Sequence, residues 1–211
     1  MKITVLGAAG EVGRRVVAEA LARGHQVTAQ VRSAASSHLL PAEASAQVAE
    51  VPGDLASLLA GQDLVISALR PADGQEAVLP ELTAAVLDAA ANAGVRVLIV
   101  GGAARLRLSD QNAETVLTAP GFLPAEIIPI AQACQQQFER CLSEPVADWT
   151  YASPAALLQP GTRSGSYRLG TDTLVTDAGG ASRISLEDFA VALLDEAEVP
   201  RFTRSGFTVG Y

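Results

Sequence analysis

Three glycines near the start of the chain have the spacing of a phosphate-binding loop. Gly7, Gly10 and Gly13 lie between an apolar, strand-like run and a helix-like segment. In such a loop the first glycine permits a tight turn, the second lets a pyrophosphate approach the backbone, and the third lets the helix pack close to the strand. The free N–H groups and partial positive charge at the start of the helix attract the phosphates. The expected cofactor contacts here are Gly7, Ala9, Gly10, Glu11 and Val12.

The spacing of this loop is Gly-x-x-Gly-x-x-Gly, which differs from the Gly-x-Gly-x-x-Gly of the common dinucleotide fingerprint. The order strand, glycine loop, helix and second strand is nevertheless typical of a dinucleotide-binding unit. We therefore favour dinucleotide binding over the alternative, a tight strand–helix turn in another α/β fold.

The residue that follows the second predicted strand indicates which dinucleotide is bound. NAD-binding proteins place an Asp or Glu there to hold the ribose 2′-hydroxyl. This chain instead has Arg32 and Ser33, and no acid. A guanidinium group matches a 2′-phosphate through charge-assisted hydrogen bonds. We therefore predict NADP(H) in preference to NAD(H); the alternative is that Arg32 is a solvated charge at the end of a strand.

Lysine chemistry is effectively excluded by composition. Lys2 is the only lysine, and it opens the first predicted strand, at the edge of the sheet away from the ligand site. Schiff-base mechanisms, P-loop phosphate binding and the Tyr-x-x-x-Lys pair of short-chain dehydrogenases all need a lysine elsewhere. Tyr151 and Tyr167 are followed four residues later by Ala155 and Thr171.

No residue is assigned as a catalytic acid. His25 and His38 fall at a strand start and in a weakly patterned loop, and we interpret both as solvated or structural. A flavin or quinone can be reduced without a protein acid, because the nicotinamide supplies the hydride and solvent the proton. The protein then contributes proximity, stacking and exclusion of water.

Composition indicates a folded protein in the cytoplasm. Of 211 residues, 49% are hydrophobic and 18% are charged, and the formal net charge is −8. No apolar run reaches the ~18 residues of a membrane span, and we expect no signal peptide. The acidic balance argues against nucleic-acid and membrane partners. Cys134 and Cys141 are expected on one helix face, roughly 10 Å apart, so neither a disulfide nor a metal site is predicted.

The order of patterns predicts a single domain over 1–211 with a Rossmann-like α/β fold: a doubly wound, mainly parallel sheet with helices on both faces. The predicted strands are 3–6, 26–31, one ending near Pro52, 64–69, 95–100, 148–152 and 207–211. The predicted helices are 11–23, 54–61 with Asp54 as N-cap, 75–93 ending at Gly94, 125–142 and 185–198 with Ser185 as cap. The remaining expectations are a loop with a weak helix at 33–50, a long loop at 101–124, and a hairpin that pairs 167–169 with 173–175.

Short motifs spread in order over nearly the whole chain carry a family resemblance. The more specific ones are Trp-Thr-x-x-Ser-Pro at 149–154 and Phe-Thr-Val-Gly-Tyr at 207–211. The others lie at 7–13, 53–54, 65–68, 94–95, 100–103, 160–165, 167–170 and 184–188. With these motifs the chain resembles the atypical short-chain dehydrogenase/reductases of the NAD(P)H-binding and NADH-flavin reductase type, relatives of biliverdin reductase B.

The resemblance implies further cofactor contacts. It places 53–54 by the adenine, 67–69 along the adenosine, 101–103 beneath the nicotinamide ribose and 153–155 at the nicotinamide end. The residues concerned are Gly53, Asp54, Leu55, Ala68, Leu69, Gly101, Gly102, Ser153, Pro154 and Ala155. The alternatives are that Asp54 only caps a helix and that Ser153 and Pro154 only shape a strand exit.

Two positions depart from the family pattern. Arg70 stands where a glycine is expected, and it either reaches a phosphate or an anionic substrate or is solvated. The fifth strand ends in Gly101-Gly102-Ala103, where biliverdin reductase B has a serine, which argues against a bilin substrate.

The function predicted from these features is an NADPH-dependent reductase of a small flat acceptor such as a flavin (FMN or FAD) or a quinone. One alternative is a non-catalytic protein that senses NADP(H). Another is a nucleotide-sugar epimerase or dehydratase, which the missing Tyr-x-x-x-Lys pair disfavours. The Ala-rich segment 75–93 suggests a surface for a homodimer.

Overall fold

Apolar strand segments and amphipathic helices alternate along residues 1–111 and 113–211, which the computed structural model describes. The strands are β1 (Lys2–Leu6), β2 (Gln26–Val31), β3 (Ser45–Val48), β4 (Leu64–Ser67), β5 (Arg96–Val100), β6 (Trp149–Ser153), β7 (Leu157–Gln159), β8 (Arg168–Gly170), β9 (Arg183–Ser185) and β10 (Ser205–Gly210). The α-helices are α1 (Glu11–Ala22), α2 (Leu55–Leu59), α3 (Leu79–Ala93), α4 (Ile128–Ser143) and α5 (Leu186–Glu198). Short 3₁₀ turns cover Ala34–Leu39, Glu76–Val78 and Ala125–Ile127.

The main sheet has the strand order β3-β2-β1-β4-β5-β6-β10-β8. Every pairing in it is parallel except that of β8 with β10. The chain runs outward from β1 to β3 and then returns to β4 on the other side of β1, so the strand order reverses between β1 and β4. This confirms the predicted Rossmann-like fold, and ligands of such sheets bind at this reversal, outside the carboxyl ends of the strands.

Helices bury both faces of the sheet. On one face α1 and α5 contribute Val16, Val17 and Phe189 to a core with Ile3 and Val5 of β1. The other face is covered by α2, α3 and α4, whose core residues are Leu58, Leu59, Val86, Leu87, Ala90 and Cys141. Because both faces are covered, central strands such as β4 are apolar at nearly every position.

The predicted hairpin between 167–169 and 173–175 is wrong. Strand β8 pairs antiparallel with β10, with Leu169 opposite Val209, and Thr173 bridges to Arg107. An isolated two-stranded hairpin is marginal in water. Pairing with the edge of the main sheet buries more apolar surface than a hairpin would.

The third strand also differs from the prediction: β3 ends at Val48 instead of near Pro52. Proline lacks the N–H that a ladder needs, and the last bond to β2 runs from the Ala49 N–H to the Val31 carbonyl at 3.1 Å.

The predicted helix caps fare differently. Asp54 precedes α2, but its carboxylate accepts the Glu50 N–H at 2.8 Å and caps no N–H of the helix. Ser185 caps α5 as predicted, with its hydroxyl accepting the Asp188 N–H at 2.9 Å. Gly94 ends α3 in the left-handed conformation, also as predicted. Among the described residues, no helix is long and apolar enough to span a membrane.

Candidate cofactor-binding cleft

The glycine loop between β1 and α1 is too tightly packed for side chains. Gly7 has φ +71°, and a Cβ added there would lie 2.6 Å from the Ala68 carbonyl oxygen. A Cβ added to Gly13 would lie 2.2 Å from the Gly7 oxygen. The missing side chain at Gly7 therefore lets the end of β1 pack closely against β4, and the one at Gly13 lets α1 pack closely against β1. Gly10 is the N-cap of α1 and provides no side-chain cap, so the N–H groups of the first helical turn remain available to a ligand.

A buried glutamine of β2 fixes this loop. The Gln30 side-chain oxygen accepts the Gly7 N–H at 2.9 Å, and its amide nitrogen donates to the Ala49 carbonyl at 2.7 Å. Gln30 is 1% exposed. Sequence reasoning missed it, although a lone glutamine next to two apolar residues, Ala29 and Val31, is a signal that could have been used.

A cleft opens above the loop at the carboxyl ends of β2, β1, β4 and β5. It consists of two cavities of about 460 and 440 Å³, which share Gly10, Ala68, Leu69 and Arg70. Each cavity has the size typical of small-ligand sites. The cleft therefore lies where the strand order reverses, as the fold requires.

The first cavity lies on the β2 side. Arg32 lines it and is exposed, and within the described residues its guanidinium group has neither a hydrogen bond nor an ion pair. The adjacent Ser33 is exposed, with its hydroxyl 3.2 Å from that of Ser36, which lines the cavity. The other lining residues include Gly7, Ala9, Gly10, Ala68, Leu69 and Arg70, which sequence reasoning had selected.

The segment expected by the adenine is placed outside this lining. Gly53 and Asp54 are exposed, and Leu55 is buried in the core. Val51, two residues earlier, is the lining residue of this segment. The contact between this segment and the cofactor thus stays a prediction.

The second cavity lies on the β5 side and is mainly apolar. Its charged lining residues are Glu11 and Arg70. The others are Gly10, Val12, Ala68, Leu69, Leu79, Val100, Gly101, Ile130, Cys134, Leu158, Pro160 and Leu186. An apolar slot with few polar groups suits flat conjugated rings.

A tyrosine lies directly beneath the floor of this second cavity. A Cβ on Gly101 would lie 1.9 Å from the ring of Tyr151, which is fully buried on β6. The Tyr151 hydroxyl accepts the Gly102 N–H at 3.2 Å and is 2.9 Å from the Cys134 carbonyl. Tyr151 thus fixes the backbone at Gly101 and Gly102, a role that sequence reasoning did not foresee.

The three residues after β6 lie outside the cavity lining. Ser153, Pro154 and Ala155 are buried. The Ser153 hydroxyl accepts the Arg105 side-chain N–H at 3.1 Å, and Arg105 also pairs with Asp172 at 2.7 Å. Their expected contact with the nicotinamide remains untested.

Comparison with known proteins decides the family. A sequence model of the NAD(P)H-binding family matches residues 7–197. The chain belongs to the NAD(P)H-binding family. Three solved structures are similar over the whole of this chain. A "putative exported protein" of Burkholderia pseudomallei is 37% identical, with a TM-score of 0.88 over 100% of that chain. A "putative epimerase" of Bacteroides thetaiotaomicron is 35% identical, with 0.89 over 96%. A "putative NADH-flavin reductase" of Streptococcus pneumoniae is 30% identical, with 0.85 over 99%.

The titratable groups that line the second cavity of this NAD(P)H-binding protein are poor proton donors. Hydrogen bonds from Arg14 and Arg15 lower the pKa of Glu11, so it is a carboxylate at neutral pH. Burial raises the pKa of the Cys134 thiol to about 11. Tyr151, which lies beneath the lining, is no better a donor, because burial raises its pKa well above the ordinary value and its hydroxyl is enclosed by protein. The lining can therefore bind and orient ligands without general acid chemistry.

Neither histidine lies in the lining of either cavity. His25 pairs with Glu198 at 2.9 Å, at the amino-terminal edge of the sheet. His38 contacts the Ala35 carbonyl within its own 3₁₀ turn. Cys134 and Cys141 are unbridged. Among the described residues, no cluster of His, Cys, Asp and Glu is placed to hold a metal ion.

Tyr151→Phe tests the support beneath Gly101. We expect the free energy of unfolding to fall by about 1–2 kcal/mol, because the Gly102 N–H loses its acceptor. Binding of NAD(P)H should weaken by less than about tenfold, since the hydroxyl contacts the backbone and does not line the cleft. Urea unfolding and titration with NAD(P)H measure both. A variant as stable as the wild type would show that the hydroxyl does not hold this segment.

Three carboxylates of the NAD(P)H-binding protein anchor segment 160–165, where Pro160 lines the second cavity. Glu19 of α1 accepts two bonds from Arg163, at 2.7 and 2.8 Å. Two carboxylates in the first turn of α5 accept bonds from the segment as well: Glu187 from the Gly161 N–H at 2.8 Å and Asp188 from the Ser164 hydroxyl at 2.6 Å. The cavity wall is thus tied to both helices of one face.

These contacts predict loss of stability in acid. The Arg163 hydrogen bonds lower the pKa of Glu19. For Glu187 and Asp188 burial raises the pKa, but the hydrogen bonds together lower it by more, so both pKa values lie below their ordinary values. A carboxylate whose pKa is lowered by folding stabilises the protein at pH values above its unfolded-state pKa. This stabilisation is lost as the pH falls through the folded-state pKa. We expect the free energy of unfolding to decline below about pH 4.5, the ordinary glutamate value.

Glu19→Gln is the matched variant for this prediction. It should lower the free energy of unfolding at pH 7 by about 1–2 kcal/mol, because the buried Glu19 loses its charged bonds to the exposed Arg163 and to Arg23, whose Nε–H donates to it at 2.8 Å. The free energy of unfolding of the variant should also decline less steeply between about pH 5 and about pH 3 than that of the wild type. Urea titrations across that approximate range measure both slopes. Equal slopes would show that Glu19 carries none of the acid sensitivity.

Proposed function

We propose that this protein is an NADPH-dependent reductase that transfers a hydride to a flavin, such as FMN or FAD, a quinone or a similarly flat acceptor. The observation that carries the proposal is the second cavity, which is apolar, adjoins Gly101 and has no competent proton donor in its lining. Flavin and quinone reduction is a chemistry that such a cavity can support, because solvent can supply the proton.

The residues present fit a dinucleotide. The absence of side chains at Gly7 and Gly13 lets the loop lie close against β4 and α1, because a Cβ at either position would collide with the backbone. The first-turn N–H groups of α1 have no side-chain cap and are free for a pyrophosphate. Ala68 and Leu69 lie between the two cavities, where an adenosine can pass along them. Gly101 would lie beneath the nicotinamide ribose.

The preference for NADPH rests on Arg32. Its guanidinium group is exposed, borders the first cavity and has no partner among the residues that the structure describes. Gln30 and Val31, which precede it on β2, carry no carboxylate for a ribose 2′-hydroxyl. A 2′-phosphate would supply the missing counter-charge.

In the reaction the bound cofactor supplies a hydride, which is two electrons and one proton. The apolar side chains of the second cavity, such as Leu79 and Ile130, hold the acceptor ring against the cofactor and exclude water. The Tyr151 ring supports the Gly101 backbone, which forms part of the wall of this cavity. A second proton from solvent completes the two-electron reduction.

The relatives support this direction without identifying the acceptor. A protein 30% identical to this chain is called a "putative NADH-flavin reductase", and one that is 35% identical a "putative epimerase". We rank an epimerase below both the reductase and the NADP(H) sensor, because Tyr151 and Tyr167 lack the lysine four residues later that such sugar-nucleotide chemistry uses.

Anaerobic assays with FMN, FAD, riboflavin and menadione test the proposal. We expect NADPH and oxidised flavin to be consumed in a 1:1 molar ratio, measured from their absorbances at about 340 and about 450 nm, with no loss in the absence of protein. Tight NADPH binding with no turnover of any acceptor would overturn the reductase. The protein would then be a sensor of NADP(H), the alternative that the missing proton donor also permits.

A further inference from the structure

Arg70 is a cation placed where the two cavities meet. It follows β4 and lines both cavities, and its side chain is 62% exposed. It forms one long ion pair, with Asp73 at 3.9 Å, whose side chain is 96% exposed, and it makes no hydrogen bond within the part of the chain that the structure describes. Glu76 also lies near it, but that carboxylate accepts the Gly74 N–H at 2.9 Å. The guanidinium donors of Arg70 are therefore free for a ligand.

The second cavity has no other free charge to offer an acceptor. Its remaining charged residue, Glu11, is paired with Arg14 at 2.8 Å and with Arg15 at 2.9 Å. The rest of the lining is apolar or backbone. A neutral acceptor would leave Arg70 with only the exposed Asp73 at 3.9 Å, whereas an anionic one would give it a partner for charge-assisted hydrogen bonds.

The cofactor has its own sites for its phosphates. In the proposed function the α1 amino terminus beyond Gly10 would bind the pyrophosphate, and Arg32, which lines only the first cavity, would bind the 2′-phosphate. Arg70 differs from both of these sites, because its side chain also lines the second cavity, where the acceptor would bind, whereas Arg32 lines only the first. This placement points to the acceptor as its ligand.

Resting on the proposed function, we propose that Arg70 makes the protein selective for flat conjugated acceptors that carry a phosphate or carboxylate group. The ring occupies the apolar slot beside Gly101, and the anion pairs with the Arg70 guanidinium at the junction of the cavities. Arg70 takes no part in the hydride or proton transfer and acts on acceptor binding.

Three flavins with the same ring system test the proposal. FMN carries a phosphate, 10-carboxymethylflavin a carboxylate, and riboflavin neither. With saturating NADPH we expect kcat/KM for at least one anionic flavin to exceed that for riboflavin about tenfold, through KM, and this advantage to shrink as salt rises. Which anion is preferred names the group.

Arg70→Gln is the decisive variant. It should reduce the advantage of the anionic flavin to less than about threefold and leave NADPH affinity within about twofold of wild type. Arg140→Gln is the matched control: Arg140 is exposed near the end of α4, lines neither cavity, and its guanidinium is unpaired within the described residues. Removing its charge should change neither value.

Equal KM values for FMN, 10-carboxymethylflavin and riboflavin in the wild type would overturn the proposal. So would an Arg70→Gln protein that loses NADPH affinity and keeps the flavin preference, because Arg70 would then serve the cofactor. If no flavin is reduced, the proposed function fails separately. Quenching of flavin fluorescence by the NADP⁺-loaded protein then decides the same comparison by binding alone.

Discussion

Gly7→Ala is expected to abolish measurable NADPH binding, with a loss of at least about 100-fold in affinity, and to lower the free energy of unfolding by about 2–4 kcal/mol. Gly7 has φ +71°, which an alanine adopts only with strain. The new Cβ would also lie 2.6 Å from the Ala68 oxygen and 2.9 Å from its carbonyl carbon, so β1 and β4 must separate at the cleft that we assign to the cofactor. Urea unfolding and calorimetric titration with NADPH measure the two losses.

Gly24→Ala is the control for this variant. Gly24 follows α1 with φ +79°, but a Cβ there meets nothing within 4 Å. It therefore carries a similar left-handed penalty of about 1–2 kcal/mol without the collision, at the end of α1 away from the cleft. We expect NADPH affinity to stay at the wild-type value. If the two variants lost affinity equally, general destabilisation and not loop geometry would explain the effect.

Arg32→Gln is expected to weaken NADPH binding about 10- to 100-fold and to leave NADH binding within about twofold of wild type. The change removes one or two charge-assisted hydrogen bonds of about 1.5–3 kcal/mol in total, and NADH has no 2′-phosphate to lose them. Because the exposed Arg32 guanidinium makes no hydrogen bond or ion pair within residues 1–111 and 113–211, the fold should be unaffected. Titration with each cofactor measures the selectivity.

Arg140→Gln serves again as the charge-matched control, since that exposed arginine lies outside both cavities. It should reproduce wild-type affinity for both cofactors. If Arg32→Gln weakened NADPH and NADH in parallel, Arg32 would act on a part common to both, such as the pyrophosphate. An unchanged NADPH affinity would make Arg32 the solvated strand-end charge that the sequence left open as an alternative.

The features that sequence predicted well are local. The strand, glycine loop and helix around Gly7 follow from residues within about a dozen positions, and so do the ends of α3 at Gly94 and α5 at Ser185. Their physics is that of turns, caps and amphipathic faces, which short segments specify.

The features that sequence missed depend on residues far apart in the chain. The Gly7 N–H finds its partner on Gln30, and Gly101 is a glycine because the Tyr151 ring, fifty positions away, fills the space of its side chain. Strand β8 pairs with β10 some forty residues later. A pattern of apolar residues reports that a segment is a strand, but it does not report which edge the strand will join.

Calorimetric titration of the wild-type protein with NADPH and NADH tests the central claim most directly. We expect one site per chain, with NADPH bound at least about tenfold more tightly than NADH, because Arg32 has a partner only in the phosphorylated cofactor. Absence of binding by either cofactor would contradict the assignment of the cleft, and tighter binding of NADH would contradict the role given to Arg32.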